Sequence, residues 1–387
     1  MMFGARRTKI RVIARARPNG GATPCVLLMS DSVVEVAGGA ANATQKALGN
    51  DAMTTETYTL DGVIADTNEK VYDDYVRPLC EAFYGDAKNV TVFCYGMTGS
   101  GKTHTLGTRT GLTDQGNAEQ GIIQRFAAHA FAMLDTGMSD TYEMSVQLVE
   151  IYNNDIYDLI GESPGDATPA PRRKRQTSGG SMATPRAPRR SESGAVSVTA
   201  QGILLNARSA VVTTPAAFCA KIDDALSGRR TAATAMNDTS SRSHAVVLVK
   251  LRRKVGNVVY ESEARFVDLA GSERLKKTLA TGDRQKEGTE INKALSVLNR
   301  VIKGLSEGTP RKHIRGTMRE SKLTQVVQQG LGGDSLTLLI TCVSAKVGDR
   351  AQTVETLSWA TRARKVSFRL CTVTFHANHA HNLTRSP

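Results

Sequence analysis

This chain of 387 residues predicts an α/β fold with a central mixed β-sheet flanked by helices on both faces. Two observations carry that expectation. Strand-like and helix-like stretches alternate along most of the chain. Between two of them, after the apolar stretch Val90–Tyr95 and before the helix-compatible Thr103-His104-Thr105, sits the octet Gly96-Met97-Thr98-Gly99-Ser100-Gly101-Lys102-Thr103. It fits the phosphate-binding pattern G-x-x-x-x-G-K-[ST]. The glycines let backbone N–H groups turn inward around phosphate oxygens, and the following helix points its positive end at the same place.

The elements follow in order. Lys9 to Ala14 reads as a first strand, and Pro18 stops it. Residues 19–55, rich in Gly, Ala and Asn, read as peripheral. Thr67 to Tyr84 reads as a helix with Val71, Tyr75, Val76, Leu79 and Phe83 on one face, and Pro78 predicts a kink or an offset start. Residues 107–120 read as a surface loop, after which the helical pattern resumes at Gly121-Ile122-Ile123. Glu143 to Tyr152 alternates as a strand. Thr214-Pro215 opens a helix lined by Phe218, Ile222 and Leu226, with Gly228 as its stop. Ala245 to Arg252 and Val258 to Val267 are two strands about a turn at Gly256-Asn257. Ile291, Leu295, Leu298, Ile302 and Leu305 mark the clearest amphipathic helix. Leu336 to Val343 is a further strand, and Thr353 to Val366 a further helix.

Residues 162–194 are rich in Pro, Ser, Gly, Thr and Arg and nearly free of large apolar side chains. Such a stretch cannot bury enough surface to offset its ordering entropy. It reads as a disordered basic insertion within one domain. Arg172-Arg173-Lys174-Arg175 inside it fits a nuclear address, a polymer-binding patch or a solvated loop.

No apolar run approaches the roughly 18 residues of a membrane span, and no signal-type segment follows the basic start. A soluble, intracellular protein with no membrane partner is expected. The six cysteines, at irregular spacing and without a C-x-x-C pair, are expected to be reduced and mostly buried. The net charge of +13 implies an acidic partner surface. The charge is clustered: five basic residues lie from Arg274 to Lys286 and five more from Arg311 to Lys322.

Two further motifs carry chemistry. Asn237-Asp238-Thr239-Ser240-Ser241-Arg242-Ser243-His244 packs short hydroxyls beside an arginine. Hydroxyls ligate magnesium and steer water, and an arginine forms a fork to a carboxylate or phosphate. Asp268-Leu269-Ala270-Gly271-Ser272-Glu273 follows an apolar strand end. Its aspartate can hold magnesium indirectly, and its glycine N–H can approach a terminal phosphate. In isolation, Ser240-Ser241 also reads as a turn and Asp268 as a strand-end cap.

Together these segments resemble a kinesin motor domain. The resemblance runs from Arg15 to about Val366 through RARP (15–18), GMTGSGKT (96–103), NDTSSRSH (237–244) and DLAGSE (268–273). It continues through EGTEINKALSVLNRVIKGL (287–305), SKLT (321–324), LGG (331–333) and TLSWATRARKV (356–366). It implies a P-loop NTPase fold over residues 8–368, with 369–387 as a tail in place of a typical neck, and it implies ATP and Mg2+ as cofactors. Arg15, Arg17, Pro18 and His104 would frame adenine and ribose, and Gly96 to Thr103 would cradle the phosphates. Thr103 and Ser241 would ligate magnesium, with Asp268 acting through water. Ser240 would handle the lytic water, Gly271 would sense the terminal phosphate, and Arg242 and Glu273 would form an ion pair behind it. The sequence departs from the family pattern at Met97, at Gln124 where Pro is usual, at Thr317-Met318-Arg319, and after Val366.

The implied partner is the acidic microtubule surface, with nucleic acid the less favoured alternative and oligomeric state not readable. The implied contacts are Lys276, Lys277, Arg284 and Lys286 before the amphipathic helix and Arg311, Lys312, Arg315, Arg319 and Lys322 after it. The expected activity is a microtubule-stimulated ATPase motor in the cytoplasm on the cytoskeleton, with a nuclear or spindle setting also open. The alternatives are a non-motile tubulin tether with residual ATPase and a depolymerising kinesin.

Overall fold

The computed structural model describes residues 7–17, 25–37, 55–108, 120–136, 141–161, 196–233, 242–273, 283–369 and 375–376. The insertion 162–194, Pro18, Asn237 to Ser241, Lys276 and Lys277 lie outside them, as does most of the tail 369–387.

The main sheet is built from β1 (Arg11–Arg17), β2 (Gly62–Ile64), β3 (Val90–Tyr95), β4 (Thr141–Tyr152), β5 (Ala210–Val212), β6 (His244–Val255), β7 (Val258–Asp268) and β8 (Leu336–Ser344). Their spatial order is β5-β4-β6-β7-β3-β8-β1-β2. The run β7-β3-β8-β1-β2 is parallel, and β5, β4, β6 and β7 pair antiparallel. The sheet is therefore mixed, as the sequence predicts. β3 is buried along its whole length, so its apolar run has neighbours on both faces.

The helices are α1 (68–85), α2 (Lys102–Leu106), α3 (Ile122–Thr136), α4 (Pro215–Ala233), α5 (Asp283–Ser306), α6 (Arg311–Arg319), α7 (Lys322–Val326) and α8 (Arg350–Ala363). They form two cores, one on each face. One joins Phe83, Phe126, Phe218 and Ile222 to Val92 and Phe266, with Phe126 edge-on to Phe266 at 5.0 Å between centroids. The other joins Leu295, Leu298 and Ile302 of α5 to Phe93, Tyr95 and Trp359. The apolar spacing of the amphipathic helix is thus its buried stripe.

Several boundaries move. Pro78 falls near the start of the second half of α1, and a π-helical turn, Tyr72–Val76, precedes it. The wider turn joins the two α-helical pieces where Pro78 can donate no N–H to the ladder. α4 runs through Gly228 to Ala233, because one glycine costs a helix only about 1 kcal/mol. α8 spans Arg350–Ala363, so it starts three residues before the expected Thr353. Residues 25–37 and 55–60 supply a three-stranded antiparallel sheet, Val26–Leu28, Val33–Val36 and Glu56–Thr59, whose first two strands fall within the stretch 19–55 expected to be peripheral.

The chain after α8 is also ordered into strands. Ser367–Arg369 pairs antiparallel with Arg7–Lys9. Phe375–His376 pairs with Val258 and Val259 at the start of β7. Among the described residues, no helix is long and apolar enough to cross a membrane. Cys25, Cys80, Cys94 and Cys342 are buried free thiols, and Cys219 is a half-buried one.

Candidate nucleotide site

The parallel strands end together, and the site lies at their C-terminal edge. β3 delivers Tyr95 directly into Gly96. The parallel register sets Asp268, the last residue of β7, beside Cys94, one step before that turn. Gly96 has φ +150, and a Cβ there would overlap the Cys342 carbonyl of β8, so only glycine lets the loop leave the sheet this closely.

The loop is held from inside and from outside. Lys102 is buried, and its Nζ donates to Gly96 O at 2.9 Å and Met97 O at 2.8 Å. Its ammonium therefore sits at the centre of the loop. Ser100 Oγ donates to Met97 O (2.8 Å), and Arg17 Nη1 donates to Gly99 O (2.6 Å). Gly101, at the N-cap of α2, directs the helix start toward the loop.

Thr103 Oγ1 donates to Asp268 Oδ2 at 2.8 Å, and Thr108 Oγ1 donates to the same oxygen at 2.7 Å. Asp268 is buried, and its other oxygen, Oδ1, has no hydrogen-bond partner. A buried carboxylate oxygen without a partner is costly. A magnesium-bound water is a donor of the kind it lacks, so the residues fit the implied ion. Thr103 would ligate it, with Asp268 one water away.

The segment after β7 folds onto the loop. Leu269 N donates to Cys94 O (3.3 Å) and Ser272 N to Gly96 O (3.1 Å). Glu273 Oε2 accepts from Thr98 N at 2.9 Å. A Cβ on Gly271 would overlap Thr98 Oγ1 and the Glu273 carboxylate, which places the Gly271 backbone against the loop. The expected pairing of Arg242 with Glu273 is not among the ion pairs of the described residues; Glu273 engages the loop amide instead. Ser240 and Ser241 lie outside the described residues. The end of their motif is placed: His244 Nδ1 accepts from Ala270 N at 2.9 Å, which puts the proton of a neutral ring on Nε2. Ser243 Oγ donates to Glu150. The serine-arginine motif and the segment after β7 are thus joined by backbone and side chain.

The residues expected around adenine divide. Arg15 points under α2, where Nη1 donates to Asn68 Oδ1 and Thr105 Oγ1, both at 2.5 Å, and Nη2 donates to Asp66 O at 3.0 Å. Burial lowers its pKa from the usual arginine range. This guanidinium braces α2 from below. His104 contributes its backbone carbonyl, which accepts from Asn68 Nδ2 (3.0 Å). Arg17 reaches the loop as described, and Pro18 lies outside the described residues.

Sequence reading gave no site role to Thr108, Asn68 or Thr105, and marked Gln124 only as a departure from the family pattern. Thr108 lies in the stretch expected to be a surface loop, yet it is buried against Asp268. Gln124 donates from Nε2 to Gly107 O at 2.9 Å, which ties α3 to the end of α2. No local pattern marks these residues, because each is defined by a partner distant in sequence.

The basic residues are placed unevenly. Lys312, Arg315 and Arg319 are exposed on α6, whose other side buries Ile314 and Met318. Arg311 is half-buried and donates to Gln328 O (2.8 Å); burial, and then the charge of Arg315, lowers its pKa. With Arg315 and Arg319 it lines a groove of about 430 Å³ that has no acidic lining residue. Lys322 is half-buried at the start of α7. Arg284 and Lys286 lie on α5, and their side chains are outside the described residues, as are Lys276 and Lys277 entirely.

The chain is similar to known proteins. The family model described as the kinesin motor domain matches residues 27–366. The chain is 34% identical over 370 residues to the kinesin-like protein klp-19 of Caenorhabditis elegans, covering 92% of this chain and 30% of that protein. It is 33% identical over 325 residues to the chromosome-associated kinesin KIF4 of Mus musculus, covering 83% of this chain and 24% of that one. It thus spans about a quarter to a third of the length of these relatives. A solved structure of a fast kinesin superimposes with a TM-score of 0.75 at 26% identity, covering 97% of this chain and 96% of that one. With its phosphate loop, the Thr103–Asp268 bond and the segment after β7 in one cradle, the chain belongs to the kinesin motor domain family.

Proposed function

We propose that the chain binds ATP with magnesium, hydrolyses it, and couples that cycle to binding of, and movement along, microtubules. The observation that carries the nucleotide half is the bond from Thr103 to Asp268, beside a buried, unpartnered Asp268 oxygen at the mouth of the loop.

Magnesium, when held by Thr103 and Ser241 with Asp268 one water away, would supply positive charge that offsets the charge developing on the phosphates. The chain's own groups do the rest. Lys102 turns its ammonium from the loop carbonyls to the outer phosphates, and the loop amides hold the inner ones. Thr103 and Ser241 present hydroxyls, and Ser240 positions the attacking water. Gly271 offers its N–H where the terminal phosphate lies. Glu273 exchanges the Thr98 amide for Arg242 as the two motifs close. Catalysis of this kind needs positioning and electrostatic stabilisation rather than a covalent step.

The microtubule half rests on charge and placement. α6 presents Lys312, Arg315 and Arg319 to solvent beside a groove free of acidic lining. A cationic face of this kind steers an acidic polymer and loses hold as salt screens it. The strand Ser367–Arg369, paired with Arg7–Lys9 directly after α8, favours a lever over a passive tether. The cytoskeleton is then the site of action.

The test is ATP turnover across a microtubule titration at low and high salt. A slow basal rate that rises with microtubules, less so at high salt, is expected. Turnover indifferent to microtubules overturns the motor reading. Stimulated turnover without filament gliding favours the tether.

A further inference from the structure

α2 ends in a left-handed turn at Gly107 (φ +83), and the N–H groups of Gly107 and Thr108 both donate to Thr103 O, at 2.9 and 3.1 Å. The Gly107 carbonyl accepts from Gln124 Nε2 of α3 at 2.9 Å. That carbonyl and the Thr108 N–H are the two polar ends of one peptide unit. The unit is therefore held at both ends, by α3 at one and by α2 at the other. A Cβ on Gly107 would overlap Gln124 Oε1 and the Gly121 Cα, so the two backbones meet without slack. Gln124 is 2% exposed, and its Oε1 has no hydrogen-bond partner. A buried amide oxygen without a donor is a cost. Among the described residues, the bond to Gly107 is the one this amide makes. Thr108, held by the same peptide unit, is buried and gives its hydroxyl to Asp268 Oδ2 at 2.7 Å.

We propose that Gln124 is a positioning residue of the magnesium site. By fixing the peptide between Gly107 and Thr108, it keeps the Thr108 hydroxyl on Asp268 Oδ2, and so keeps Oδ1 turned toward the water of the ion. A carboxylate turns readily about its last torsion. A single donor on one oxygen leaves much of that freedom; two donors on the same oxygen, Thr103 and Thr108, remove it. Thr103 is shared with the ion it would ligate, whereas Thr108 has no such second duty. A proline at position 124 has no side-chain donor and cannot make this tie. The proposal rests on the nucleotide reading of the loop and is independent of microtubules.

The test loads the whole chain with a fluorescent ADP and follows its release as free magnesium is lowered, a readout that needs no turnover. Gln124→Met keeps the length of the side chain and loses both its donor and its unpartnered oxygen. Thr108→Val keeps the shape and loses the hydroxyl. Each is expected to raise the magnesium concentration at half-retention about tenfold, the lower end for partners behind the direct ligands of a metal. At saturating magnesium, release should return to the parent rate; a merely structural loss would persist there. The double variant should lose no more than either single one, because both act through one contact. A folded Gln124→Met with the magnesium dependence of the parent overturns the proposal, and so do additive losses in the double variant. If Gln124→Met does not fold, Gln124→Pro takes its place in both comparisons, since the first turn of α3 tolerates proline. ADP that fails to bind the parent, or binds it indifferently to magnesium, overturns the nucleotide reading and this proposal together. Magnesium dependence in the parent that the variants leave unmoved overturns the proposal alone.

Discussion

Thr103 and Asp268 are joined by a 2.8 Å hydrogen bond from the threonine hydroxyl to Asp268 Oδ2. The bond ties the first turn of α2 to the end of β7, two elements that flank the phosphate loop. Thr108 donates to the same oxygen, so the carboxylate keeps one face engaged and one face open. Asp268→Asn retains an oxygen for both threonines but loses the second acceptor and the charge. The expected outcome is a folded protein whose apparent magnesium affinity falls about 10- to 100-fold, as for other outer-shell ligand partners. Magnesium titration of ATP turnover measures it.

Lys102→Ala removes the ammonium that sits at the centre of the loop, bonded to the carbonyls of Gly96 and Met97. Each charge-assisted bond of this kind is worth about 1.5–3 kcal/mol. ATP affinity should fall by at least about tenfold for each bond that Lys102 makes to phosphate. Titration with a fluorescent nucleotide checks it.

Gly96→Ala places a methyl group against the Cys342 carbonyl at a backbone angle that disfavours any side chain. Neither β3 nor β8 can yield, because each is paired on both sides. A loss of about 2–4 kcal/mol of unfolding free energy is expected. Denaturant titration measures it, and nucleotide binding should weaken in parallel.

His129 Nδ1 lies 2.8 Å from the Tyr72 hydroxyl. Burial, and then the charge of Arg77, holds its pKa below the usual histidine value of 6.5. The unfolded chain therefore takes up the proton more readily than the folded one. Its share of stability is complete above the unfolded value and declines as pH falls through the folded one. Denaturation at about pH 7.5 and pH 5.5 should show that decline, and His129→Gln should reduce it.

Arg315→Glu and Arg319→Glu reverse charge on the exposed side of α6, away from buried Ile314 and Met318. Microtubule affinity should fall several-fold at low salt, and its salt dependence should become shallower. Basal ATP turnover reports whether the nucleotide site is intact. Cosedimentation at two ionic strengths measures the binding.

Much of the fold was legible because its signals are local. The loop is contiguous, and the stripe of α5 follows from spacing alone. Asp268 stands out because an apolar strand ends on it. The readings that moved share a different cause. The partners of the Arg15 guanidinium, Asn68, Thr105 and Asp66, are all distant in sequence and carry no local signal. Thr108 reads as loop until Asp268 is placed beside it. Ser367–Arg369 carries little strand signal of its own and becomes a strand through Arg7–Lys9.

The sequence alone determined the nucleotide chemistry, the α/β class and the cationic flanks, since each depends on residues close together along the chain. Tertiary structure decided which groups meet. It set Asp268 against Thr103, turned Arg15 inward, gave Glu273 the Thr98 amide and tied Gln124 to Gly107. The reason is sheet order. β7, β3 and β8 are neighbours in space though far apart in sequence, and pairing register, rather than any local pattern, brings their ends together.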